Sequence, residues 1–240
     1  MKILSVECSA GPASVALLDG EKIAASSFVN VKLTHSQTLV PMIKNLLESS
    51  LTSINDIDAI AVAVGPGSFT GIRIGIGAIK GLAAKDNIPC IPVSTLRGMA
   101  EPYITDNCIV CAVMDARCNQ VYNALFRIEN NKITRLCEDR ALMCNELADE
   151  LNKNFSDKKI IVTGDGADLF YPFIENLPYA NKAPESTKYQ NAIGIALAAR
   201  EEFENGNAVT PAALLPVYLR LPQAERELKK KLKDEEKKAL

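Results

Sequence analysis

Residues Gly65–Gly81 read GPGSFTGIRIGIGAIKG and hold six of the chain's 13 glycines. A glycine-rich turn that opens a helix can cradle a phosphate, because bare backbone N–H groups crowd an anion at the positive helix end. Glycines along a helix also let a second helix approach closely. At about 100° per residue, Ile72, Ile76 and Ile79 fall on one narrow arc, and Gly71, Gly75, Gly77, Ala78 and Gly81 fall on the arc read as opposite. The isoleucine side suits a sheet. The small-residue side, with Gly-x-x-x-Gly pairs at Gly71/Gly75 and Gly77/Gly81, suits a partner helix. The GPGS turn lacks the Lys-Ser/Thr ending of a P-loop. Helix packing therefore accounts for all the glycines, and a phosphate cradle for only the first two.

Working outward, the preceding run DAIAVAV is continuously apolar, as a buried parallel strand requires. KILSVEC, ASVALL and KIAASSFV, joined by Ser-Ala-Gly-Pro and Asp19-Gly20 turns, predict a three-strand meander. Thr34 and Gln37 form a capping-box pattern for an amphipathic helix carrying Leu39, Val40, Ile43, Leu46 and Leu47, with Pro41 expected to kink or loosen its start. IPCIPVST closes the half with a short strand. The second half repeats the order: CIVCAVMD, QVYNALFRI and KITRLCE as strands, CNELADELNKNF as a helix, KKIIVTGDG as a strand and turn, and YQNAIGIALAAREEFENG as a longer helix. Both halves read βββαβα. Each first strand ends in an acid, Glu7 and Asp115, and each later strand ends in a glycine turn, GPGS and GDGA. This predicts an α/β protein of duplicated ribonuclease H-like halves, the architecture of actin, sugar kinases and Hsp70 chaperones, with boundaries at 1–103, 104–208 and a tail at 209–240. In that tail PAALLPVYLRLPQ reads as extended, and ERELKKKLKDEEKKAL as a solvated mixed-charge run.

The 240 residues are 48% hydrophobic and 23% charged, which allows a sizeable core. A net charge of -2 leaves no basic footprint for independent nucleic-acid binding. The N-terminus lacks the apolar region of a signal peptide, and nothing approaches a membrane span. Seven scattered cysteines read as reduced cytoplasmic thiols. Cys108 and Cys111 are at metal-like spacing, but in a strand they point to opposite faces, and a single histidine argues against a zinc site.

Nucleotide-handling members of this architecture use strand-end acids and glycine-rich phosphate turns. Glu7 and Asp115 are the candidates for cofactor binding here, and the turns after them hold one glycine and none respectively. Arg117 reads as a partner for a nearby acid. A Cys8–His35 dyad is the remaining nucleophile–base combination, against the plainer reading of His35 as an exposed capping or contact residue. No catalytic residue and no metal ligand is assigned.

VECS, THSQTLVPMI, DIDAIAVAVGPGSFTGIRIGIGAIKGLA and IPVSTL together resemble the TsaB (YeaZ) family, with PVYLR as a C-terminal match. The chain has Glu7-Cys8-Ser9 where the family usually shows Asp-Thr-Ser. The resemblance implies a non-catalytic relative of the metal-containing transferase TsaD, acting in N6-threonylcarbamoyladenosine (t6A) formation 3′ of the anticodon in tRNAs reading codons that begin with A. It implies pairing with TsaD through the two helices above, a TsaE P-loop ATPase in the complex, tRNA contact through that complex, and no cofactor of its own. Whether ATP or ADP rests at the interface stays open. The expected partner surface comprises His35, Leu39, Ile43, Leu46, Gly71, Gly75, Ala78 and Gly81, and it would pair with itself in a homodimer when the partner is missing. The class rival is an ATP-dependent phosphotransferase or a metallopeptidase-like enzyme of the same superfamily.

Overall fold

The computed structural model describes residues 1–220; the mixed-charge run at 225–240 lies outside them. The first lobe runs β1 (Lys2–Glu7), β2 (Ala13–Asp19), β3 (Lys22–Val29), α1 (His35–Ser49), β4 (Ala59–Gly65), α2 (Phe69–Ala83) and β5 (Cys90–Ser94). Its sheet has the order β3-β2-β1-β4-β5, with β1 antiparallel to β2 and parallel to β4. Strand alternation sends Leu4 and Val6 to one face, where α1 and α2 pack, while Ile3 points to the other. The capping box forms, Gln37 Oε1 accepting from Thr34 N at 3.4 Å, and α1 continues as one helix through Pro41.

The short α3 (Thr95–Gly98) leads into the second lobe: β6 (Cys108–Asp115), β7 (Gln120–Glu129), β8 (Lys132–Arg135), β9 (Arg140–Met143), α4 (Cys144–Phe155), β10 (Ile160–Thr163), α5 (Ala167–Phe170), β11 (Ala180–Lys182) and α6 (Glu185–Lys188). The sheet order is β11-β10-β6-β7-β8, with β9 also paired to β7. β6 sends Cys111 into one core and Cys108 into the other, as strand alternation requires. The sequence reading missed β9, whose pairing turns a three-strand meander into a branched edge.

The long helix α7 (Ala192–Glu204) departs from the predicted symmetry. Its place in the chain assigns it to the second half, yet Ile195, Ala196, Ala198 and Ala199 cover the first sheet against Ile3, Ala59, Ala61 and Ala63. Small residues on both surfaces permit this close layer. A Cβ on Gly194 would collide with the Gly98 carbonyl, so α7 also sits tightly against α3 where the lobes join. The extended segment after α7 returns to the first lobe, pairing Val209 with Cys90 and burying Leu214 in its core. Two α/β lobes thus face each other across a cleft.

Candidate functional site

The cleft opens at the carboxyl ends of the central strands, where ligands bind in open α/β sheets. It encloses about 440 Å³ and is lined by Ser9, Gly67 and Ser68 from the first lobe and Asp115, Arg117 and Asp165 from the second. Glu7, at the end of β1, is 1% exposed beneath it. Its Oε1 accepts from Ser9 N at 2.6 Å, and Oε2 has no hydrogen-bond partner. Burial pushes the Glu7 carboxyl from the ordinary 4.5 up to about 7, and the charge of Asp165 adds in the same direction. Asp165 is itself raised, by burial first and by Asp115 second, while Gln190 Nε2 donates to it at 2.7 Å and opposes the shift.

Asp115 is held by its own turn. Arg117 donates to it from the backbone at 2.7 Å and from the guanidinium at 3.2 Å. Arg117, Cys118 and Asn119 occupy left-handed backbone, with φ of 67°, 57° and 55°. A glycine-free turn therefore folds there at a conformational cost. Asp115 and Asp165 line the cleft with Glu7 buried beneath it, and the buried unpartnered atoms of Glu7 (Oε2), Ser9 (Oγ) and Gln190 (Oε1), the last bonded through its amide to Asp165, all have acceptor capacity. Among the described residues that line the cleft, Arg117 is the one cation, and Asp115 already engages it. Among the described residues, no group of three or more His, Cys, Asp or Glu side chains is placed to hold a metal ion.

The Cys8–His35 pair does not form a dyad. Cys8 Sγ donates to Gly71 O at 3.2 Å and burial pushes its thiol pKa up, while His35 Nε2 bonds Ala10 O at 2.8 Å. Both side chains are engaged with backbone carbonyls, so His35 ties the start of α1 to the turn after β1 rather than standing free in solvent.

The helix pair requires a larger correction. Leu39, Ile43 and Leu46 are 1–3% exposed in the first lobe's own core. Burying each contributes ~1.5–3 kcal/mol to folding, so they are not available to another subunit. Gly71 and Gly75 are buried as well: a Cβ on Gly71 would collide with the Cys8 carbonyl, and one on Gly75 would lie 2.7 Å from Cys8 Sγ. On the helical wheel these two adjoin the isoleucines, so they continue the inner face. Gly77 and Gly81 are exposed with nothing within 4 Å of a Cβ, and Ala78 is half-buried beside them. The outward surface of the pair is thus Val40, 53% exposed, with Ile74, Gly77, Ala78 and Gly81.

The sequence reading passed over Asp165 and Gln190. The GDGA turn was visible as the counterpart of GPGS, and its acid was the available signal; Gln190 carried none. It also missed the stacking of Tyr218 on Phe69, because it offered no way to bring the tail to α2.

A family model described as TsaD, tRNA N6-adenosine threonylcarbamoyltransferase, matches residues 30–232. The tRNA threonylcarbamoyladenosine biosynthesis protein TsaB of Escherichia coli K12 is 37% identical over 164 residues, covering 68% of this chain and 71% of the relative. The Bacillus subtilis protein of the same name is 29% identical over 94% of this chain and 96% of its own length. YeaZ from Pseudomonas aeruginosa superposes with a TM-score of 0.78 at 27% identity, covering 91% and 99% of the two chains. A more distant likeness, component A of the (R)-2-hydroxyglutaryl-CoA dehydratase of Acidaminococcus fermentans, has a TM-score of 0.51 at 14% identity over 84% and 98% of the chains, and shows the shared fold alone. Among the described residues no helix is long and apolar enough to cross a membrane. With its two facing lobes, its glycine-rich second helix and a likeness to these proteins that covers two thirds or more of its length, the chain belongs to the TsaB (YeaZ) family.

Proposed function

We propose that this chain is a non-catalytic activating subunit for t6A formation in the cytoplasm, docking on a TsaD-like transferase through the outer surface of α1 and α2. The observation that carries this reading is the open ground over Gly77 and Gly81, with Ile74 and Ala78 on the same helix and Val40 exposed on α1. Two glycines one helical turn apart with free space above them allow close backbone approach by a partner helix. A TsaE-like ATPase and the tRNA join through the complex, and the same face pairs with a second copy when the transferase is absent. The cleft supports the non-catalytic part: its acids are buried or engaged, and the turn after Asp115 offers no glycine for a phosphate.

Reconstitution tests this. A cognate TsaD, TsaE, ATP, threonylcarbamoyl-adenylate and tRNA should yield t6A only when this chain is added, and the chain alone should neither hydrolyse nucleotide nor transfer the threonylcarbamoyl group. Unchanged yield without the chain would refute the activator role. Turnover by the chain alone that is lost on Glu7→Ala or Asp115→Ala would refute its non-catalytic status.

A further inference from the structure

The segment Leu214–Arg220 crosses from one lobe to the other, and its contacts are distributed along the whole path. At its start Leu214 is 0% exposed in the first lobe's core. Val217 N then donates to Val64 O at 2.8 Å, at the end of β4. Gly65, with φ +126°, is the residue that permits this approach, since a Cβ there would collide with the Val217 carbonyl. Tyr218 next stacks on Phe69, centroids 4.6 Å apart, and accepts a hydrogen bond from Arg73 Nε at 2.7 Å. The Arg73 guanidinium lies 5.4 Å from the Tyr218 ring centroid, within cation–π range. Beyond it, Leu219 packs against the second lobe's core and Arg220 donates to the Ala116 carbonyl. Ala116 and Phe69 line opposite walls of the cleft.

We propose that residues 214–220 are a clasp that fixes the angle between the lobes and so sets the width of the cleft. The α3–α7 contact, where Gly98 meets Gly194, closes the junction by which the lobes are joined. Near that junction Ser94 Oγ donates to Asp139 at 2.6 Å, and Ala10 packs against the second lobe's core. The clasp ties the lobes again across the cleft wall, and an attachment separated from the junction removes the rotation that the junction alone would leave. Phe69 and Arg73 also belong to α2, so the clasp joins that helix to the second lobe's wall.

The test is lobe orientation in solution, read from NMR residual dipolar couplings on the full chain. For the parent protein a single alignment tensor should fit the amides of both lobes. In Tyr218→Ala/Arg220→Ala each lobe should need its own tensor, and amide exchange at 116–120 should rise at least tenfold while β1, β4 and β6 keep their protection. Leu215→Ala, at a position 66% exposed, should match the parent in both respects. Should the double variant be poorly folded, Arg220→Ala alone removes only the second-lobe end and should show the same separation of tensors. One tensor still fitting both lobes in the folded variant would overturn the clasp. So would exchange that rises equally in every strand, because the segment would then contribute only to overall stability.

Discussion

The two Gly-x-x-x-Gly pairs of α2 are alike in sequence and opposite in circumstance. Gly71 and Gly75 press the helix onto the end of β1, so close that a methyl group on either meets Cys8. Gly77 and Gly81 meet nothing. Spacing alone reports that a helix can be approached closely, and leaves open by what. One pair is consumed by the protein's own sheet, and only the other is left for a partner.

The largest expected effect lies on the inner pair. Gly71→Leu forces a side chain into the Cys8 backbone, which cannot move without displacing β1. Its cost should reach or exceed the upper end of the ~1–3 kcal/mol typical of overpacking, read as a fall in the urea midpoint. A stable Gly71→Leu protein would mean that the inner pair is as open as the outer one.

Glu7, one residue before Cys8, gives the next effect. Because its carboxyl titrates near 7 in the folded protein against 4.5 when unperturbed, the folded state holds the proton more tightly than the unfolded chain does. Its contribution is therefore fully present below pH 4.5 and is lost as pH rises through 7. Full ionisation costs about 3 kcal/mol. Glu7→Gln should flatten that part of the decline between pH 5 and pH 8 in urea unfolding, leaving what Asp165 and Glu101 contribute, since burial shifts both upward too. An unchanged slope would show that the inner seam does not dehydrate the end of β1.

How much of this was legible in the sequence follows from which interactions are local. Alternation in β1 and β4, the Thr34–Gln37 box and the paired strand-end acids depend on neighbours in the chain, and the duplicated architecture could be read from them. The partition of α2 depended on how far the end of β1 reaches under the helix, a distance that no periodicity encodes. The same holds for α7, whose alanines fit the first sheet although its place in the chain is with the second, and for Asp165, which becomes notable only where Glu7 and Asp115 converge with it.

On the outer pair, Gly81→Leu should leave the fold intact, since its side chain enters open space. If this is the docking surface, affinity for a TsaD-like transferase should fall at least tenfold, equivalent to ~1.4 kcal/mol. Gel filtration with titration calorimetry would measure it. Normal affinity would remove the outer pair from the interface and leave the helices without a docking role.

The smallest effect discriminates most finely between the pairs. Alanine favours a helix interior over glycine by ~1 kcal/mol, so Gly77→Ala should raise the thermal midpoint by about 2–4 °C. The same substitution at Gly75, two residues away, gains the same propensity but places its Cβ 2.7 Å from Cys8 Sγ, and the net effect should be a loss. The measurement is therefore a difference in sign within one helix, insensitive to errors shared by the two variants. A methyl group is also small enough to probe whether the outer face is covered by a second copy in solution. In a free face the Gly77→Ala gain is the same at low and high protein concentration. In a self-paired face the methyl falls between two backbones, and the gain should shrink or reverse as concentration rises, which scans over a hundredfold dilution series would reveal.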